Sequence, residues 1–185
     1  VYGLINEAMR RHVVENAGPA AWSSIAARAE TGQTFAALHY YDDSVTYALV
    51  GAASEVLEAP AEDLLRGFGH YWSTRVGPES YSDILGATGT DMASVLRNLD
   101  EMHARLQSLY PELRPPSFDV VDTEGGELDV LYRSERAGLV PFVVGLLEGL
   151  GDLYGTPVEV SHDALASDGT DHEVFHVRRR VLEAP

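Results

Sequence analysis

A chain of 185 residues with 45% hydrophobic and 23% charged content is long and apolar enough for one soluble globular domain with a substantial core. Its formal net charge of −16 argues against nucleic acid or an anionic membrane surface as partner, and no apolar run reaches the ~18 residues of a membrane span. There is no cysteine, and all 13 basic residues are arginine, which excludes disulfides, thiol catalysis, a P-loop lysine and a lysine Schiff base.

No basic segment followed by an apolar one marks a secretory signal, so a cytoplasmic location is expected. In chain order, Tyr2 to Glu15 reads as a first helix with Leu4, Ile5, Ala8 and Met9 on its apolar face. Asn16-Ala17-Gly18-Pro19 breaks it, and Ala21 to Ala29 is a short second helix. A third runs from Ser44 to Glu58. Pro60 opens a fourth, with Glu62 and Asp63 in a first turn suited to negative charge and Leu64, Leu65, Phe68, Tyr71 and Trp72 after them. Gly67 and Gly69 inside it read as close packing or a bend, or as simple tolerance.

After a short helix near Tyr81 to Leu85, Asp91 to Tyr110 is predicted as one amphipathic helix. Asp91 is its N-cap, and Met92, Val95, Leu96, Leu99, Met102, Leu106 and Leu109 form its buried stripe. Arg114-Pro115-Pro116 is a rigid connector. The pattern then changes to strands: Ser117 to Thr123, a turn at Glu124-Gly125-Gly126, and Leu128 to Arg136. A buried helix, Gly138 to Tyr154, and two strands, Thr156 to Ser161 and Glu173 to Leu182, close the chain around a polar loop from Asp163 to Asp171. Helices first and then a small meander with one inserted helix give an α+β fold.

His103 stands out because it falls within the apolar stripe. A neutral imidazole there needs a partner for at least one nitrogen. From this helix alone, a core histidine bonded to a backbone carbonyl is the plainer reading; an axial ligand to haem iron is the sharper one. Tyr132, Ser134 and Arg136 sit at i, i+2 and i+4, so on a strand they share one face. Two hydroxyls and a guanidinium can grip carboxylates such as the haem propionates. They equally fit an ordinary polar sheet face, as Pro115-Pro116 fits a stiff linker.

In order, VYGLINEAM, YDDSVTYALVGAASEVL, NLDEMHARL, LRPPSF and YRSERAGL resemble the H-NOX family (haem-nitric oxide/oxygen binding), which includes the haem domain of soluble guanylate cyclase. The resemblance runs from Tyr2 to about Val181. It implies a single domain of an N-terminal helical subdomain (1–60) and a C-terminal subdomain on a four-stranded antiparallel sheet (61–185), with haem b between them. It implies His103 as proximal iron ligand, Tyr132, Ser134 and Arg136 as the propionate-binding motif, and Pro116 as the proline pressing on the porphyrin. Ile5 would join Pro116 in holding the porphyrin distorted.

Oxygen-binding members of the family carry a distal tyrosine where this chain has Phe142. The tyrosine's usual helpers fall here at Met9 and Trp72. With Leu4, Ile5 and Leu146 also apolar, the expectation is a dry distal pocket that binds NO and CO and discriminates against O2, the indole N–H of Trp72 being its one conventional donor. A hydroxyl of Tyr2 or Tyr71 aimed at the iron would contradict this. The resemblance implies a sensor, not an enzyme: NO weakens or breaks the bond to His103, its helix is released, and a separate histidine kinase or cyclic-di-GMP enzyme reads the change. The competing readings are an O2-binding haem sensor and a haem-free interaction domain of the same fold. A peroxidase or hydrolase is disfavoured, since no distal acid/base pair, G-x-S-x-G or HExxH is present.

Overall fold

The computed structural model describes residues 1–123, 127–164 and 171–180. The expected turn Glu124-Gly125-Gly126, the middle of the loop from Asp163 to Asp171, and the end of the last expected strand at Leu182 lie outside the described residues. The chain forms two compact units, Val1–Phe68 and Gly69–Pro185. The division falls inside the helix that follows Pro60.

In the first unit, helix α1 (Gly3–Arg28) covers both predicted N-terminal helices, and the expected break survives as a kink. Gly18 sits at φ 84, a conformation that favours glycine, and Pro19 restarts the helix. Helix α2 (Asp43–Val56) begins where the Asp42 carboxylate accepts the Ser44 N–H at 2.9 Å. The two helices are joined by Thr46 Oγ1 donating to Asn6 Oδ1 at 2.8 Å. Met9, Val13, Trp22, Ile25, Leu49 and Ala52 are buried around them, and Trp22 Nε1 donates to the Gln33 carbonyl at 2.9 Å. Helix α3 (Ala61–Tyr71) starts in this unit and ends in the next.

The second unit continues with a widened π turn, Trp72–Val76, in which the Gly77 N–H reaches back to the Trp72 carbonyl. Short helices α4 (Gly77–Ser80) and α5 (Ser82–Thr88) follow. The predicted long helix is two: α6 (Met92–Arg97) and α7 (Leu99–Leu109). Asp91 does cap α6, in a reciprocal box with Ser94. The break lies at Asn98, whose side chain donates to the Thr88 carbonyl at 2.8 Å. An asparagine bonded elsewhere competes with helical geometry, a local effect that hydrophobic periodicity does not report.

Strands β1 (Ser117–Asp122), β2 (Leu128–Ser134), β3 (Val158–Ala164) and β4 (Asp171–Arg179) form one antiparallel sheet in the order β1-β2-β4-β3. This is not the simple meander expected. Helix α8 (Val140–Leu153) carries the chain across the sheet, so β3 lies two positions from β2 and β4 fills the gap. One sheet face buries Phe118, Val130, Tyr132, Phe175 and Val177 with Val143, Leu147 and Leu150 of α8 and Val95, Leu96 and Leu99 of α6 and α7. Fully burying each such side chain stabilises by roughly 1.5–3 kcal/mol.

Helix α8 also meets α3 and the π turn. A Cβ on Gly69 would lie 2.0 Å from the Phe142 carbonyl oxygen, and one on Gly149 would lie 2.9 Å from the His70 carbonyl oxygen. Ser73 Oγ donates to the Leu146 carbonyl at 2.9 Å, and His70 Nε2 is 2.9 Å from Asp152 Oδ2. So Gly69 serves close packing, one of the two readings its position allowed.

On the opposite sheet face, His176 of β4 places Nδ1 2.7 Å from Asp129 Oδ1 and Nε2 3.3 Å from Asp163 Oδ2. Satisfying both carboxylates needs both ring protons. The Asp129 hydrogen bond, with Asp163 in support, therefore raises the His176 pKa above its ordinary value. The stabilisation is full below the unfolded-state pKa and is lost as pH rises through the raised folded value. Proton NMR should show His176 titrating above free histidine, and Asp129→Asn should bring it down; an unshifted titration would remove the clamp from the account.

Candidate functional site

Helix α7 places His103 at the edge of the core. Leu99 is buried, and Met102 and Leu106 are half-buried beside it. His103 Nδ1 is buried and has no hydrogen-bond partner among the described residues. Burial holds the imidazole pKa below its ordinary value, opposed by the charge of Asp100 and by the Pro116 carbonyl. Burial thus favours the neutral ring, the form in which histidine ligates metals. An orphaned buried polar atom costs about 1–3 kcal/mol in a finished core, and the side chains of Asn6 and Glu7 leave such atoms too.

Asp100 lies one turn before His103. Its Oδ1 accepts the Phe118 backbone N–H at 2.8 Å, tying α7 to β1. Adjacent carboxylates read as a solvated pair, but the structure separates Asp100 from Glu101. Glu101 is exposed and pairs with Arg105, whereas Asp100 turns in to the sheet. Phe118 is the other residue that pattern reading missed. Its ring centroid is 6.2 Å from that of His103 and 5.4 Å from that of Tyr132.

Tyr132 and Ser134 occupy the inner face of β2, both buried, while Arg133 and Glu135 are exposed. Arg136 does not share that strand face. The strand ends at Ser134, because its Oγ accepts the Arg136 backbone N–H at 3.0 Å and turns the chain. The Arg136 guanidinium then donates from Nη1 to the Arg114 carbonyl at 2.6 Å, beside Pro115-Pro116. The connector is fixed from its other side by Gln107 Nε2 donating to the Leu113 carbonyl at 3.0 Å.

A cleft of about 390 Å³ runs along these groups, lined by Asp100, His103, Gln107, Pro116, Ser134 and His172 among others. Arg114 and Arg133 also line it. Two carboxylates of the lining, Asp100 and Glu135, match these guanidinium groups in number, and Arg133 is paired with Asp119 at 2.6 Å. The donor set fits haem: one neutral imidazole for iron, and hydroxyl and guanidinium donors for carboxylates.

The expected distal residues are distributed over both units. In the first, Leu4 and Ile5 are half-buried on α1 and Met9 is buried; Tyr2 is buried and packs edge-on to Tyr40 at 5.9 Å. In the second, Phe142 and Leu146 lie one turn apart on α8, with their carbonyls against Gly69 and Ser73. Trp72 stacks on Tyr81 with centroids 6.2 Å apart, and Tyr71 is buried.

Residues 2–162 match the sequence profile of the family described as Haem-NO-binding. Soluble guanylate cyclase gcy-35 of Caenorhabditis elegans is 28% identical over 185 residues, which cover 95% of this chain and 27% of that protein. The chain thus spans about a quarter of the length of the curated relatives it matches. Among solved structures, an H-NOX protein from S. oneidensis in the Fe(II)NO state superposes with a TM-score of 0.84 at 20% identity, covering 98% of this chain and 100% of that one. An oxygen-binding H-NOX domain related to soluble guanylate cyclases gives a TM-score of 0.84 at 16% identity, covering 98% and 96%. At these identities the structural likeness shows the α+β fold.

Proposed function

The chain belongs to the haem-NO-binding family, and from that premise we propose that it is a gas sensor whose His103 holds ferrous haem b for NO and CO with discrimination against O2. The observation that carries this reading is the half-buried His103 imidazole, biased by burial toward its neutral form, beside a cleft bordered by Pro116 and Ser134. Haem held by the His103 imidazole would supply an iron able to bind a diatomic gas.

The chain's own residues do the rest. Tyr132, Ser134 and Arg136 bind the propionates, and Pro116 presses on the porphyrin. The family resemblance assigns Leu4, Ile5 and Met9 of the first unit, and Trp72, Phe142 and Leu146 of the second, to the gas side. Of these only Trp72 carries a conventional donor, so a bound gas that needs a hydrogen bond is disfavoured. When the hold on His103 is released, α7 is free to shift. Its bond from Asp100 to the Phe118 N–H and its bond from Gln107 to the Leu113 carbonyl carry that shift to β1 and to the connector. A separate histidine kinase or cyclic-di-GMP enzyme is the reader.

Absorption spectra of the reduced protein test this. The expected result is a Soret band that moves under CO and under NO and does not form an O2 species in air. A stable O2 species would reject the apolar gas side and point to Tyr2, Tyr71 or Trp72 as donor. No haem band in protein made with ample haem would reject the sensor.

A further inference from the structure

Rotation about the Cβ–Cγ bond of histidine is soft and roughly two-fold. A metal-bound histidine is therefore ordinarily oriented by a hydrogen bond from its other nitrogen to a carboxylate or carbonyl. His103 lacks that device: its buried Nδ1 has no partner among the described residues. Asp100, one turn back, spends Oδ1 on the Phe118 N–H, and the Pro116 carbonyl acts on the ring without a bond to Nδ1. Packing is left to set the plane of the imidazole.

We infer that the ring of Phe118 is the positioning residue that orients the His103 imidazole. This rests on His103 being the iron ligand. The two rings lie 6.2 Å apart with their planes tilted by 39°. Phe118 cannot yield. Its backbone is fixed to the same helix, one turn before His103, through Asp100. Its ring is backed by Tyr132 at 5.4 Å, and Tyr132 is backed edge-on by Phe175 at 5.9 Å. Phe118 is 5% exposed, Tyr132 1% and Phe175 0%. A close-packed row of this kind transmits position rather than absorbing it. Phe118 fixes the direction of the ring by packing alone.

The test compares Phe118→Leu, Phe118→Met and Phe118→Tyr with the unaltered haem-loaded protein. In the low-spin ferric cyanide form, the hyperfine shifts of the haem methyl protons report the imidazole plane. Phe118→Tyr should keep the parent order of these resonances, while Phe118→Leu and Phe118→Met should reorder them or narrow their spread. In haem-free protein, carbon relaxation at His103 Cε1 should show a more mobile ring in Leu and Met and an unchanged one in Tyr. The proposal is overturned if Leu and Met reproduce the parent methyl pattern and the parent ring mobility. If the unaltered protein takes up no haem, the proposed function fails, and the relaxation measurement still decides whether Phe118 orients the ring.

Discussion

His103→Gly is expected to lose haem almost completely, and imidazole added in millimolar excess is expected to restore the Soret band. Removing a residue that merely supports a metal site costs roughly 10- to 100-fold in affinity; removing the ligand itself should cost more. The fold should survive. A glycine in a helix interior costs about 1 kcal/mol relative to alanine, and the change also deletes a buried nitrogen that lacks a partner among the described residues. The check is an absorption titration with imidazole alongside thermal unfolding of the haem-free protein. Retention of a normal Soret band by the glycine variant would show that another residue holds the iron. Loss of both haem and fold would show a structural histidine.

Gly69→Ala is expected to be the most destabilising single methyl addition among the described glycines of the second unit. The new Cβ would sit 2.0 Å from the Phe142 carbonyl oxygen and 2.8 Å from the Leu146 nitrogen. Both obstacles are backbone atoms of α8, so no rotamer change relieves the clash, and the two segments must separate. Overpacking of this kind costs about 1–3 kcal/mol and sometimes more. Gly67→Ala, two residues earlier on the same helix, should behave oppositely. Its nearest neighbour would be His12 Nε2 at 3.8 Å, an ordinary contact, and alanine is the better helix former by about 1 kcal/mol. Thermal denaturation should therefore move in opposite directions for the two variants. A parallel shift would mean that α3 and α8 do not approach as described.

The two glycines also show what the sequence could and could not say. Their positions raised close packing as a possibility, but which of them meets a backbone depends on the partner helix. Elements with a clear period were legible in part: the expected stripe is buried from Met92 to Leu99, half-buried at Met102 and Leu106 and exposed at Leu109, while the alternation of β2 and the apolar run of α8 appear where expected. The break at Asn98 was not legible, because it depends on a carbonyl ten residues away. The end of β2 was missed for a similar reason, since a serine hydroxyl captures the Arg136 N–H. Of the candidate site, His103 was marked by a polar residue in an apolar stripe, and the Tyr132, Ser134 and Arg136 spacing by its alternation. Asp100 and Phe118 were not marked. A carboxylate next to a glutamate reads as solvated, and a phenylalanine in a strand reads as core. Their roles come from a contact between a helix and a strand that periodicity along one element does not contain.

The strand order has a consequence for the sequence of events during synthesis. β4 is translated after every other strand, yet it occupies the gap between β2 and β3. Until Asp171–Arg179 has emerged, β1 and β2 form only a hairpin, and β3 has no neighbour in the sheet. Two long-lived open edges follow, and exposed edges are where chains pair with one another instead of with themselves. Closing the sheet also joins Leu128 with Val177, a contact of high sequence separation and therefore a slow one. The sheet thus becomes continuous only when its last strand arrives, and the nascent chain is most exposed to misassembly just before that moment.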